Sequence, residues 1–213
     1  GGNKYAGHAE IISVPSNLCV KIPDDVDSKV AAFTTIGSIV IQAVRQSDSK
    51  LGERVLVIGL GLIGQITCQI LQASGCIPVG VDLDKQKVKF ASEKFGVDSF
   101  SRFGNNFRSE INTIVKGQGF DSVIITAATK SNDPIELAID LLRDRGSITI
   151  VGNISMDINW KKAYEKELQI NMSRSYGPGR YDKDYEEKGI DYPINYVRWT
   201  ENRNMQAFLE LSS

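Results

Sequence analysis

Residues 54–64, RVLVIGLGLIG, decide how this chain reads. Val55, Leu56, Val57 and Ile58 form a short apolar run rich in β-branched residues. That is the composition of a strand buried on both faces of a parallel sheet. Gly59, Gly61 and Gly64 follow at G-x-G-x-x-G spacing. Ile63, Ile66, Ile70 and Leu71 then recur at helical period, which places the glycines in a turn between a strand and a helix. The three glycines meet different steric needs. Gly59 permits the tight turn, Gly61 lets the backbone approach a pyrophosphate, and Gly64 lets helix and strand pack closely. The helix N-terminus adds unpaired N–H groups and a partial positive charge, both suited to a diphosphate. The spacing alone is weak evidence. Here the strand before it, the helix after it and an acid at the end of the next strand all agree.

That acid is Asp82, about 20 residues beyond the motif, where a carboxylate accepts hydrogen bonds from the adenosine ribose hydroxyls. The same charge repels a 2′-phosphate, so the reading favours NAD(H) over NADP(H). Asp84 reads as a helix N-cap. Lys87 reads equally well as a ribose contact or, with Lys85 and Lys89, as part of a solvated basic face.

Outward from the motif, strands and helices alternate. Strands are expected at 77–81, 97–100, 120–126, 147–151 and 168–172. Helices are expected at 85–95, 105–116 and from Asp133-Pro134 through Leu142. Short links and right-handed crossovers make this a doubly wound α/β fold, a parallel sheet of about six strands with helices on both faces. Ligands of such sheets bind beyond the carboxyl ends of the strands. That gathers the glycine turn, Asp82, Thr126 to Thr129, and Gly152 with Asn153 around one crevice.

The flanks differ in texture. Residues 1–7 read as an irregular entry, 8–14 and 18–22 as short strands, and 28–33 and 36–46 as helices. Beyond residue 153 the chain grows dense in Tyr, Gly and charge, with six of its seven tyrosines past residue 160. A last helix is expected at 201–211. Three segments result: 1–46, 47–175 and 176–213.

The chain has 213 residues, 41% of them hydrophobic, and a formal net charge of −1. So neutral a balance gives no electrostatic case for nucleic acid or an anionic membrane. No apolar run reaches transmembrane length. Cys19, Cys68 and Cys76 are scattered and odd in number, as in a reduced, cytoplasmic protein. No catalytic constellation is complete, so no catalytic residue is named. The single histidine, His8, reads as surface or packing. Cys68 reads as a core residue, and no Tyr-x-x-x-Lys pair occurs. Tyr176 and Arg180, beside Gly177-Pro178-Gly179, are the best remaining polar candidates, with a shaped turn as their simpler explanation.

The passages AEIISVPSNLCVKIPDDVDSKVAAF, VLVIGLGLIGQ and VGVDLDKQK, in that order, resemble the medium-chain dehydrogenase/reductase superfamily, the relatives of zinc-type alcohol dehydrogenase. The resemblance covers about residues 8–175. It implies a Rossmann domain and NAD(P)-dependent oxidoreduction of an alcohol, polyol or sugar-derived carbonyl. By position it implies that Gly59, Gly61, Leu62, Ile63 and Gly64 form the pyrophosphate turn and that Asp82 and Lys87 contact the ribose. Thr126 and Ala127 would lie over the cofactor, and Val151, Gly152 and Asn153 on the nicotinamide side. Residues 1–46 then read as the remnant of a GroES-like catalytic domain with its connecting helix. The chain reads as a fragment that binds cofactor without turning over alone. The family's third zinc-ligand position falls on Thr34, a poor ligand, so no metal is expected on these residues. The tail resembles a bacterial bi-domain oxidoreductase subgroup. A sixth strand at the sheet edge implies a homodimer. A non-enzymatic nucleotide-sensing module is the alternative, and the passage at residues 9–36 argues against it.

Overall fold

A computed structural model describes residues 5–212. Of the entry expected at 1–7, residues 1–4 lie outside the described residues, as does Ser213. The chain divides into two compact units: Ala43–Ser173, and the residues up to Gln42 together with those from Arg174 onward.

The first helix, α1 (Ser28–Ala31), is capped by Asp27, whose carboxylate accepts from the Lys29 N–H at 2.7 Å. Helix α2 (Thr34–Ser47) follows and carries the chain into the sheet unit. The segments expected as strands at 8–14 and 18–22 are not strands. A 3-10 turn, Ser16–Leu18, sits at their junction, and the backbone of both is otherwise irregular. A strand needs a neighbour to pair its backbone groups, and among the described residues no strand pairs with these segments. Ile11, apolar on an expected strand face, is 91% exposed.

The sheet unit then runs β1 (Arg54–Ile58), α3 (Leu62–Ala73), β2 (Ile77–Asp82), α4 (Lys85–Phe95), β3 (Asp98–Ser101), α5 (Phe107–Val115), β4 (Phe120–Ile125), α6 (Asp133–Leu141), β5 (Leu142–Ile150), α7 (Trp160–Glu165) and β6 (Gln169–Met172). The six strands lie in the order β3-β2-β1-β4-β5-β6, and every pairing is parallel. Helices cover both faces. Val55 and Val57 point into a cluster with Ala43, Cys68, Leu71 and Ala91 from α2, α3 and α4. Leu56 and Ile58 point the other way, to Phe107, Ile111, Ile135 and Leu137 from α5 and α6. This is the doubly wound fold the periodicity implies. The alternation of a two-sided strand explains why β1 carries no polar face.

Most element boundaries differ from the expected ones by a residue or two, and two of the differences matter for the site or the sheet. Strand β5 starts at Leu142, directly after α6, and tolerates a register shift between Phe120 and Ser122. Arg145 sits at φ 60° beside this irregularity. Strand β3 ends at Ser101 rather than 100, which pairs Ser101 with Asp82. Among the described residues, no helix is long and apolar enough to cross a membrane.

The other unit joins the two ends of the chain. It includes α8 (Lys183–Glu186) and α9 (Glu201–Glu210). The Asn202 side chain donates to the carbonyls of Asn17 (3.0 Å) and Cys19 (2.8 Å), and Asn17 donates to the Tyr185 carbonyl (2.9 Å). Phe208 lies where a Cβ on Gly37 would need to be, 2.0 Å from its ring. Buried polar groups hold its interior. Asn204 donates to Gln42 (3.2 Å) and to the Tyr176 carbonyl (3.0 Å), and the Tyr185 hydroxyl to Thr200 (2.9 Å). Glu201 is wholly buried, and neither carboxyl oxygen has a hydrogen-bond partner among the described residues. Burial, helped by the nearby Glu186 charge and opposed by Arg180, pushes its carboxyl up to about 7.

Candidate cofactor site

The carboxyl ends of β1, β2 and β4 are level in the sheet, with Ile58 paired to both Val81 and Ile125. The chain leaves β1 at Gly59, which adopts φ 100°. A Cβ there would stand 2.7 Å from the Ala127 nitrogen. Gly64 is bound more tightly still. Its Cβ would fall 1.8 Å from the Gly59 carbonyl oxygen, so α3 could not approach the turn with any other residue. Gly61 is the opposite case: a Cβ there meets nothing within 4 Å. It is the N-cap of α3 at ordinary extended angles, and no side chain caps the helix. The first-turn N–H groups of α3 have no intrahelical acceptor, and the space in front of Gly61 is open to a ligand.

Asp82 closes one side of this space. Its Oδ2 accepts from the Leu60 N–H at 2.6 Å and its Oδ1 from the Asp84 N–H at 2.8 Å, so the carboxylate is fixed against the glycine turn. Each oxygen keeps a second lone pair for a hydroxyl donor. The Lys87 ammonium stands 4.0 Å from Asp82 and 3.9 Å from Asp84. The Gln65 side chain donates to the carbonyls of Leu60 (3.1 Å) and Lys87 (3.2 Å), tying α3 to α4 behind the turn. On the other side, the Thr126 hydroxyl donates to the Gly59 carbonyl at 2.6 Å.

A cleft of about 350 Å³ opens here, lined by Gly59, Gly61, Asp82, Lys87, Thr126 and Ala127 of the expected set. Leu62, Ile63 and Gly64 form the first turn of α3 and are not among its lining residues. Val151, Gly152 and Asn153 are not either. They follow β5 and pack on the adjoining segment, where Thr129 N–H donates to the Asn153 carbonyl at 2.9 Å. A Cβ on Gly152 would fall 1.8 Å from the Ala127 oxygen.

Sequence reasoning missed Leu83, Arg102, Phe103, Ser131 and Asp133, which also line the cleft. Arg102 reaches Asp133 through two hydrogen bonds, Nε to Oδ2 at 3.1 Å and Nη2 to Oδ1 at 2.7 Å. A signal for Arg102 existed: it is the first residue past β3, whose end must lie beside Asp82 in a parallel sheet.

Tyr176 and Arg180 do not line the cleft. Tyr176 is buried, and Arg180 pairs with Glu186 and lies 4.0 Å over the Tyr181 ring. The Thr34 hydroxyl donates to the Ala31 carbonyl at 2.6 Å, the back-bond a threonine makes three residues upstream. Among the described residues, no three His, Cys, Asp or Glu side chains converge as a metal donor set. The residues present match the chemistry of a dinucleotide site: the open face of Gly61, the uncapped start of α3 and the anchored Asp82 occur together at this cleft.

Comparison with known proteins gives the same direction. The family described as zinc-binding dehydrogenase matches residues 63–191. D-xylulose reductase A of Aspergillus oryzae is 27% identical over 180 residues, 81% of this chain and 50% of that protein. L-threonine 3-dehydrogenase of Rhizobium rhizogenes is 30% identical over 192 residues, 87% of this chain and 53% of that one. The chain spans about half the length of the curated relatives it matches. Among solved structures, 2R,3R-butanediol dehydrogenase from Bacillus subtilis superposes with a TM-score of 0.69 at 21% identity, over 90% of this chain and 48% of that one. Fold, glycine turn and family match converge: the chain belongs to the zinc-binding dehydrogenases of the medium-chain dehydrogenase/reductase superfamily and carries their Rossmann nucleotide-binding domain.

Proposed function

We propose that the Ala43–Ser173 unit binds NAD(H) and presents it for hydride transfer to or from an alcohol, polyol or sugar-derived carbonyl. The single observation that carries this reading is the open space at Gly61 in front of the uncapped α3, with Asp82 fixed beside it. In it the first-turn amides at Leu62 and Ile63 receive the diphosphate. Asp82 accepts from the ribose hydroxyls, and Lys87 balances its charge. Thr126 and Ala127 support the middle of the dinucleotide, and Val151, Gly152 and Asn153 flank its nicotinamide end. When bound, the nicotinamide supplies the hydride acceptor or donor. The chain's own residues bind and orient it, and none is assigned to proton transfer.

The choice of NAD(H) over NADP(H) rests on Asp82, because a fixed carboxylate repels a 2′-phosphate. The names of the relatives, a D-xylulose reductase and an L-threonine 3-dehydrogenase, support a small polar substrate. The free cysteines Cys19, Cys68 and Cys76 support a reducing, cytoplasmic setting. Strand β6 is the sheet edge, with β5 as its neighbour, and its outer backbone groups favour pairing with a second copy.

The test is calorimetric titration of NADH and NADPH into wild type and Asp82→Ala. We expect wild type to prefer NADH, and Asp82→Ala to lose about tenfold or more in NADH affinity, as for a charge-assisted hydrogen bond. Absence of binding by either cofactor, or a variant with unchanged preference, would refute the assignment.

A further inference from the structure

The charged residues lining the cleft are Asp82, Lys87, Arg102 and Asp133, two of each sign. Lys87 is held near Asp82 and Asp84. Arg102 is held by Asp133 through a two-pronged ion pair, with its guanidinium 5.5 Å from the Phe103 ring and 5.4 Å from that of Phe107. Backbone topology places Arg102 close to the ribose acid. Ser101 pairs with Asp82 across the sheet, and the Arg102 N–H donates to the Asp82 carbonyl at 2.9 Å. Neighbouring strands are about 4.8 Å apart, well within the reach of an arginine side chain. A guanidinium is also the group best matched to a phosphate monoester, because its fork offers parallel donors.

We propose that the Arg102–Asp133 pair is a second determinant of nucleotide choice. Asp133 occupies the fork of a guanidinium that would otherwise receive a 2′-phosphate, and so keeps the cleft selective for NAD(H). The pair thus acts with Asp82 but by a different route. Asp82 repels the extra phosphate at the ribose, whereas Asp133 denies it the nearest bidentate partner. Replacing Asp133 by Asn keeps the shape of the first turn of α6, removes one negative charge and leaves a cleft of net positive sign.

This inference rests on the dinucleotide reading, and its test separates the two. NADH and NADPH are titrated into wild type, Asp133→Asn and the double variant Arg102→Leu with Asp133→Asn, after circular dichroism and thermal melts establish that each is folded. Asp133→Ser, which keeps a side chain suited to a helix start, serves if Asp133→Asn does not fold. The expected result is about a tenfold gain in NADPH affinity for Asp133→Asn, a change of about threefold or less for NADH, and loss of the gain in the double variant. Wild type that binds NADH, with an Asp133→Asn variant whose NADPH affinity is unchanged, overturns this inference alone. So does a gain that survives removal of Arg102. Wild type that binds neither nucleotide overturns both.

Discussion

Two regions of this chain bury polar groups in opposite ways. In the cleft, the polar groups are tied to backbone and face open space: Asp82 is fixed by the N–H groups of Leu60 and Asp84, and Gly61 looks onto nothing. In the unit formed by the two chain ends, polar groups are sealed in. Asn204, Thr200 and Glu201 are all fully buried, and Glu201 has no hydrogen-bond partner for either oxygen among the described residues. The first arrangement keeps lone pairs and donors available for a ligand. The second uses its polar groups to hold distant segments together and leaves one carboxyl at an energetic cost.

The comparison can be broken most severely at the glycines. Gly64→Ala places a Cβ 1.8 Å from the Gly59 carbonyl oxygen, and a backbone clash of that kind costs about 3 kcal/mol or more. Gly61→Ala puts its Cβ into empty space. We expect it to melt like wild type yet bind NADH more weakly, because the methyl occupies the place of the diphosphate. Thermal melts beside NADH titrations check both. Equal stability of the two variants would show that the turn is looser than its geometry implies.

The sealed unit is sharpened by pH. The Glu201 carboxyl is raised from 4.5 to about 7, so the folded unit holds this proton more tightly than the unfolded chain does. The stabilisation is complete below about pH 4.5 and is lost as pH rises through about 7, by about 3 kcal/mol. Glu201→Gln keeps the shape without the titration. In urea melts it should match wild type at pH 4.5 and exceed it by about that amount at pH 8. An identical pH dependence for the two proteins would mean that Glu201 finds a partner when ionised.

The smallest effect belongs to Lys87. It is half-exposed and 4.0 Å from Asp82, and exposed pairs of this kind contribute little. Lys87→Ala should weaken NADH binding by about threefold, measurable by calorimetry. A loss as large as that of Asp82→Ala would make it a principal contact.

What the sequence revealed follows the same division. The sheet was legible because each strand and helix announces itself locally, through the β-branched run at Val55 to Ile58 and the period of Ile63, Ile66 and Ile70. The glycines were legible because their spacing encodes steric needs that no other residue meets. The pairing of Arg102 with Asp133 was not, since it joins the end of β3 to the start of α6, 31 positions apart. The sealed cluster was harder still. Its members Gln42, Tyr176 and Asn204 come from three separate stretches, and nothing local marks a glutamate in RWTENR as buried. The strand-like composition at residues 8–14 misled for the converse reason: among the described residues no neighbouring strand completes it.

In the proposed function, main-chain amides at the β1–α3 turn receive a diphosphate. Amide chemical shifts of the 15N-labelled protein, followed while NADH is added, test it most directly. The largest shifts are expected at Gly61, Leu62 and Ile63, with smaller ones at Leu60 and Asp84, whose N–H groups hold Asp82. Saturable binding with those amides unmoved, and with the shifts concentrated beyond Arg174, would contradict it.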